Sequence, residues 1–382
     1  MKPLVSKLPS VGTTIFTVMT QLAEQHRAVN LSQGFPNFEP PAGLLDLVDK
    51  ALTGRNHQYA PMPGSVALRA AIAGKLKDMY GVTVDPNTDI TVTSGATEAI
   101  FDAIQAVVRR GDEVIVFDPC YDSYEPSITL AGGNTVHLPL VLPEFAIDWD
   151  LLAASLNERT RLVIVNSPHN PSGALLHAAD FDRLAELLRP SDCYLLSDEV
   201  YEHVVFDGAR HATVLAQREL AARSFAVFSF GKTYHATGWK LGYCVAPAAL
   251  SAELRRVHQY VTFASTTPLQ QALAEYLVAH PEHHRELPAF YQERRDYFAG
   301  LLAPTKFRAL PAPGTYFQLA DYSAISELPD VEFARWLTIE HGVATIPVSV
   351  FYERPPDVKL VRFCFAKENA TLDAAAQRLR AL

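Results

Sequence analysis

Residues 224–247 read SFAVFSFGKTYHATGWKLGYCVAP, two apolar runs on either side of a turn-rich middle that holds Lys232, Gly238 and Lys240. Each run is too short and too rich in β-branched and aromatic residues for a helix of ordinary length. Both read as strands, and the first delivers a lysine to its carboxyl end. TDITVTSG, DEVIVFDP, RLVIVNSP and CYLLSDEV share this form, each bounded by turn residues. Between them lie helical patterns: ATEAIFDAIQAVVRRG, with Gly111 placed as its C-terminal stop, and AADFDRLAELLRP, closed by Pro190. Near-continuous apolar strands alternating with helices predict an α/β domain whose largely parallel sheet is covered on both faces.

At 382 residues the chain exceeds one ordinary core, so a second domain is expected. The charged stretch PEHHRELPAFYQERRDYFAGLL marks a change of composition near His280. Beyond it TYFQLADY, VATIPVSVFY and VKLVRFCFA alternate with helices. The reading is an N-terminal arm over 1–45 packing with the small domain, a large domain over 46–280, and a smaller α+β domain over 281–382. Hydrophobic residues at 48% and charged residues at 20% describe a packed soluble protein, and a net charge of −9 without a basic run argues against nucleic acid. Cys120, Cys193, Cys244 and Cys364 are too far apart for a zinc site or a disulfide framework, which suggests reduced, buried thiols. No signal-peptide core follows Lys2 and Lys7, and no apolar stretch approaches membrane-spanning length, so no membrane partner and a cytoplasmic location are expected.

Ligands of open α/β sheets bind at the carboxyl ends of strands. No Gly-x-Gly-x-x-Gly follows a strand, and the glycine that a P-loop ending in Gly231-Lys232-Thr233 requires is Ala226, so both nucleotide signatures fail. The strand ends instead carry a different chemistry. Lys232 sits at the mouth of the sheet, where desolvation lowers an amine's pKa and permits covalent attachment of an aldehyde. Ser229 and Lys240 offer a hydroxyl and a cation for one phosphate, and Ser94 to Glu98 ends a strand and opens a helix whose free N–H groups can seat it. Asp198 closes a strand with Tyr201 three residues on, suited to a pyridine nitrogen and a ring oxygen. Asn170, in NSPHNPSG, can donate to the same oxygen, and Tyr121 can stack on a flat ring. Arg362, within LVRFCFA, matches a carboxylate. Singly, each has a structural reading: a solvated strand-end lysine, a capped helix, an Asp N-cap, a turn asparagine, a packed tyrosine, a buried ion pair.

Together the segments LSQGFPNFEPP, YAPMPGSVALRAAIA, TSGATEAIFDAI, DPCYDSYEP, NSPHNPSG, LSDEVYEH, SFGKTYHATGWKLGY and VRFCFAK resemble, in order and spacing over nearly the whole chain, the class I/II pyridoxal-phosphate aminotransferases of fold type I, the family that includes kynurenine and methionine aminotransferases. The resemblance implies pyridoxal 5′-phosphate carried by Lys232, with phosphate contacts from Ala96, Thr97, Ser229 and Lys240. It implies Asp198 on the ring nitrogen, Asn170 and Tyr201 on the ring oxygen, and Tyr121 stacked on the ring. Arg362 would bind the substrate carboxylate, helped by Asn166 and the backbone of Gly34. Tyr59 would reach the phosphate of a second subunit, hence a homodimer. Lys240 stands where many aspartate-type members have arginine, and Ala96 where some relatives place a hydroxyl. The substrates implied are an amino acid and a 2-oxo acid. The stretches tied to donor choice, Gly12 to Phe16, Phe35 to Phe38 and Tyr59, are apolar and hold no arginine, so methionine and aromatic donors are expected ahead of aspartate. A kynurenine- or glutamine-type aminotransferase and a cysteine-conjugate β-lyase are the alternatives on the same scaffold. A non-enzymatic regulator would need a DNA-binding extension, and no basic helix-turn-helix pattern is present.

Overall fold

Seven strands form the central sheet: β1 (Ile90–Thr93), β2 (Glu113–Asp118), β3 (Asn134–Pro139), β4 (Thr160–Asn166), β5 (Tyr194–Asp198), β6 (Ser224–Ser229) and β7 (Gly242–Val245). Their order is β1-β7-β6-β5-β4-β2-β3, and only β7 runs against the rest. This computed structural model describes residues 3–55 and 57–382; Met1, Asn56 and Lys2, on which part of the sequence reading fell, lie outside the described residues. The α/β class and the mostly parallel sheet agree with the sequence pattern.

Period-two alternation distributes the strand residues over two apolar layers. Ile115, Val163, Val165, Leu195 and Phe228 enter one layer, while Val114, Val116, Ile164, Leu196 and Val227 enter the other. Burial of each such side chain contributes about 1.5–3 kcal/mol. Both layers require helices over them, which is why these strands carry almost no polar residues before their ends.

A third apolar cluster gathers around a four-stranded antiparallel sheet of β8 (Arg308–Ala309), β9 (Phe317–Asp321), β10 (Ile346–Pro347) and β11 (Leu360–Cys364), in the order β10-β11-β9-β8. Val361 and Phe363 enter that cluster. Alternation therefore turns Arg362, paired in register with Leu319, to the opposite face. The N-terminal helix Ile15–His26 packs on the helix Asp330–Glu340, and Val29–Asn30 pairs in parallel with Val343–Ala344. The arm thus joins the smaller sheet and leads the chain to Ser32 and Gly34. No helix of the described residues is long and apolar enough to cross a membrane.

One local reading needs correction, and one strand escaped the sequence pattern. The helix Gly95–Val107 ends before Gly111: Val108 is already extended, and Gly111, at φ +91°, donates its N–H to Gly132 O in the turn that enters β2. The tertiary need to reach the sheet ends this helix, not the glycine. Strand β3 lies at the sheet edge with three intermediate positions and two exposed ones; NTVHLP lacks the apolar run that marked its neighbours.

Candidate active site

The carboxyl ends of β4, β5 and β6, the start of the helix Gly95–Val107 and the face of β11 enclose a cavity of about 260 Å³. Small-molecule pockets run from about 300 Å³ upward, and this one is of the same order. Gly34, Ala96, Thr97, Tyr121, Asn166, Asn170, Asp198, Tyr201, Ser229, Lys232, Lys240 and Arg362 all border it. Of the expected site residues, Tyr59 alone is absent: it is 82% exposed and leans edge-on against Phe263.

At one end lies a cationic cup. The first N–H groups of the helix at Gly95, Ala96 and Thr97 have no acceptor within the helix. Ser94 makes no side-chain cap; its own N–H donates to the Glu98 carboxylate, which also accepts from His258 Nδ1 at 2.8 Å. Gly95 has φ +78°, and a Cβ there would stand 3.2 Å from Lys240 Nζ, so glycine keeps the cup open to the ammonium. An anion at this position meets a helix dipole, a lysine and the Ser229 hydroxyl together.

In the middle, Tyr121 and Val200 both border the cavity. Asp198 is buried, and its Oδ2 accepts from Tyr124 Oη at 2.7 Å. Burial raises the Asp198 carboxyl to about 6, against the lowering effect of the Tyr124 hydrogen bond. A buried carboxylate so placed gains from a cationic partner in the cavity. Lys232 Nζ donates to Tyr316 Oη at 2.9 Å and to Gly34 O at 3.3 Å. Burial lowers its pKa to about 8, with the Arg362 and Lys240 charges acting in the same direction.

At the other end Arg362 is 1% exposed. Its Nη1 donates to Asn170 Oδ1 at 2.8 Å and its Nη2 to Ser32 O at 3.2 Å, while Phe317 lies under the guanidinium at 3.9 Å. Nε has no partner. Two of five N–H groups are committed, so three remain for a carboxylate. Asn166 acts one step back: its Nδ2 donates to Asp198 O and its Oδ1 accepts from Asn170 N–H, both at 2.8 Å. Asn170, not Asn166, touches the arginine.

An amine of lowered pKa, a buried carboxylate, a wall that includes Tyr121 and Val200, a helix N-terminus beside Lys240 and a guanidinium with spare donors fit pyridoxal phosphate together with an amino acid. Tyr124, Tyr316, Gln33 and Val200 were missed from sequence. Tyr124 follows Tyr121 by three residues, Val200 lies between Asp198 and Tyr201, and Gln33 directly precedes Gly34, so proximity in sequence was a usable signal for those three; Tyr316 offered none. Of the stretches tied to donor choice, Phe16 and Phe35 border the cavity. Phe38 turns away, against His235, Phe290 and Tyr291, and Ile15 packs beside Met19 in the arm.

Residues 26–379 match the family Aminotransferase class I and II. The chain is 55% identical over 377 residues to the methionine aminotransferase of Escherichia coli strain K12, covering 99% of this chain and 98% of that one. An Escherichia coli crystal structure whose reactivity identified a methionine aminotransferase function superposes with a TM-score of 0.97 at 55% identity over 100% of both chains. The N-succinyldiaminopimelate aminotransferase of Mycobacterium tuberculosis superposes at 0.96 and 40% identity, covering 99% of this chain and 100% of that one.

Proposed function

The chain belongs to the class I and II aminotransferases, and from that premise we propose that it moves the amino group of methionine, with aromatic amino acids as weaker or comparable donors, to a 2-oxo acid. Enzymes of this family depend on pyridoxal phosphate. When bound, that group supplies an aldehyde carbon to join the substrate amine and a ring to take up the electron pair left by the departing α-proton. The observation that carries the proposal is the convergence of Lys232, Asp198 and Arg362 on one cavity beside a helix N-terminus.

In this reading Lys232 holds the cofactor and, once free, moves the proton from the substrate's α-carbon. Asp198 keeps the ring nitrogen protonated, and Tyr124 steadies Asp198. Asn170 and Tyr201 face the ring oxygen; Tyr121 covers the ring. Ala96, Thr97, Ser229 and Lys240 hold the phosphate. Arg362 takes the substrate carboxylate beside the Gly34 backbone, and Asn166 holds Asn170 in place. We assign residues 1–45 to an arm packing with the small domain, 46–280 to the cofactor-binding domain and 281–382 to the small domain. A homodimer in which Tyr59 serves the partner's phosphate accounts for the exposure of Tyr59 together with Val66, Tyr260, Val261 and Phe263, with Tyr260 at 86%. A cytoplasmic location suits four free, buried cysteines.

Donor preference follows from the cavity wall. Phe16, Gln33 and Phe35 border the cavity, and the cations present, Lys232, Lys240 and Arg362, already serve the amine, the phosphate and the α-carboxylate. A second substrate carboxylate would be desolvated without a partner. Apolar contacts separate methionine from aromatic donors by only about 1–3 kcal/mol, so the preference is graded. The test is a panel of methionine, phenylalanine, tyrosine, histidine, kynurenine, N-succinyldiaminopimelate, aspartate and glutamate against several 2-oxo acids. Methionine leads in kcat/KM on this reading; aspartate or glutamate ahead of methionine and phenylalanine refutes it. Ammonia and pyruvate released from a cysteine conjugate without an oxo acid would mark a β-lyase instead.

A further inference from the structure

Lys232 comes from the large sheet, yet its amine is held by groups from elsewhere in the fold. Tyr316 lies just before β9 of the smaller sheet, and Gly34 belongs to the arm. Tyr316 Oη lies 2.9 Å from Lys232 Nζ and 2.7 Å from Gly34 O, and Nζ lies 3.3 Å from the same carbonyl. The donor directions are determined by chemistry. A carbonyl oxygen only accepts, so the single Tyr316 O–H donates to Gly34 O, and toward Lys232 the phenol oxygen accepts. Burial raises the Tyr316 pKa and keeps that proton in place. Lys232 therefore donates to both oxygens. A neutral amine has two N–H bonds and one lone pair; with both N–H bonds engaged, the lone pair is its one remaining direction.

The backbone around Tyr316 is built to hold that position. Thr315, a β-branched residue, has φ +61°, a conformation that costs about 1–3 kcal/mol and persists only where its surroundings enforce it. Its N–H donates to Val204 O at 2.9 Å. A Cβ on Gly314 would stand 2.8 Å from both Pro168 Cβ and Leu175 Cδ2, and a Cβ on Gly173 would stand 2.6 Å from Gly314 O. The segment bearing Tyr316 thus lies backbone against backbone on the loop bearing Asn166 and Asn170. The Tyr316 ring is fully buried and boxed edge-on by Tyr201, with centroids 5.1 Å apart at 89°.

We infer that Tyr316 is a positioning residue for the base of the reaction: its phenol oxygen and the Gly34 carbonyl take the two N–H bonds of the free Lys232 amine and leave its lone pair to accept the substrate's α-proton. The inference rests on the reading of Lys232 as carrier and base. It also makes the base depend on three parts of the fold meeting, since arm, large sheet and small sheet each contribute one of the three groups.

Tyr316→Phe keeps the ring and removes only the hydroxyl. Losing one hydrogen bond to the amine lowers kcat by about 10- to 100-fold. KM for the donor changes less than about threefold, because Tyr316 acts on the proton transfer and not on carboxylate binding. The kinetic isotope effect with α-deuterated methionine rises, because proton transfer becomes more fully rate-limiting. That effect is a ratio, so it decides the matter even where part of the variant is unfolded. An unchanged isotope effect, or a change in KM alone, overturns the inference. Lys232→Ala measured in parallel separates the two levels: if that variant retains covalently attached cofactor and turnover, the underlying reading of Lys232 fails, whatever Tyr316→Phe does.

Discussion

Replacing Arg362 by leucine removes a cation that is 1% exposed and leaves Asn170 Oδ1 and Ser32 O without their donors. Three of the five guanidinium N–H groups, among them the unpartnered Nε, are free for a carboxylate. Breaking one side of a buried, hydrogen-bonded charge pair costs about 3–5 kcal/mol, which corresponds to a loss of roughly 150- to 5,000-fold in kcat/KM. The α-carboxylate is common to every donor, so methionine, phenylalanine and tyrosine should lose the same factor within about threefold, and the 2-oxo acids should lose it too. Arg362→Lys keeps the charge and gives up the fork, and should fall between wild type and Arg362→Leu. The assay is steady-state kcat/KM for each donor, with cofactor absorbance confirming that the site is still loaded. A loss differing by more than tenfold between methionine and phenylalanine would refute this account and place Arg362 in the side-chain pocket.

Lys232→Ala should lose the yellow absorbance of covalently held cofactor and its turnover; full retention of both refutes the assignment. Because Lys232 is lowered to about 8, about a tenth of its amine is neutral at pH 7, against about 0.03% for an ordinary lysine. The rate at which the cofactor-free enzyme takes up pyridoxal phosphate should therefore rise with pH and level off above about 8. A rate still climbing tenfold per unit at pH 9 would show an unperturbed amine. Tyr124→Phe removes the 2.7 Å hydrogen bond to Asp198, which favours the ionised carboxylate, so the Asp198 pKa rises further. A cost of about 1–2 kcal/mol should lower turnover roughly 5- to 30-fold and speed cofactor release; dissociation as slow as in wild type contradicts the link.

Strand ends were legible because they depend on local chemistry. A short β-branched run needs a covered sheet, and a polar residue straight after it falls at the sheet's carboxyl edge. Asp198, Lys232, Asn170 and the helix opening at Gly95 could all be selected by that rule. The alternation of Val361, Arg362 and Phe363 likewise turned the arginine away from the apolar cluster of its own sheet. Local chemistry misled where long-range packing had the larger effect: the helix stop lies at Val107 and not at Gly111, and Phe38 turns to the His235 cluster although its neighbour Phe35 borders the cavity.

Hydrophobic period, turn residues and motif spacing act over a few neighbouring positions, and they were enough for the α/β class, the cofactor chemistry at the strand ends and the resemblance to the family. Which groups meet is a matter of long-range packing: Arg362 with Asn170 across 192 positions, Tyr124 with Asp198 across 74, Lys232 with Tyr316 across 84. The reversal of β7 and the strand order belong to the same class of decision. A period of two or 3.6 residues assigns a side chain to a face, but its partner on that face depends on how whole layers close over one another. The positioning of the lysine amine, which needs arm, large sheet and small sheet at once, exists only after that closure.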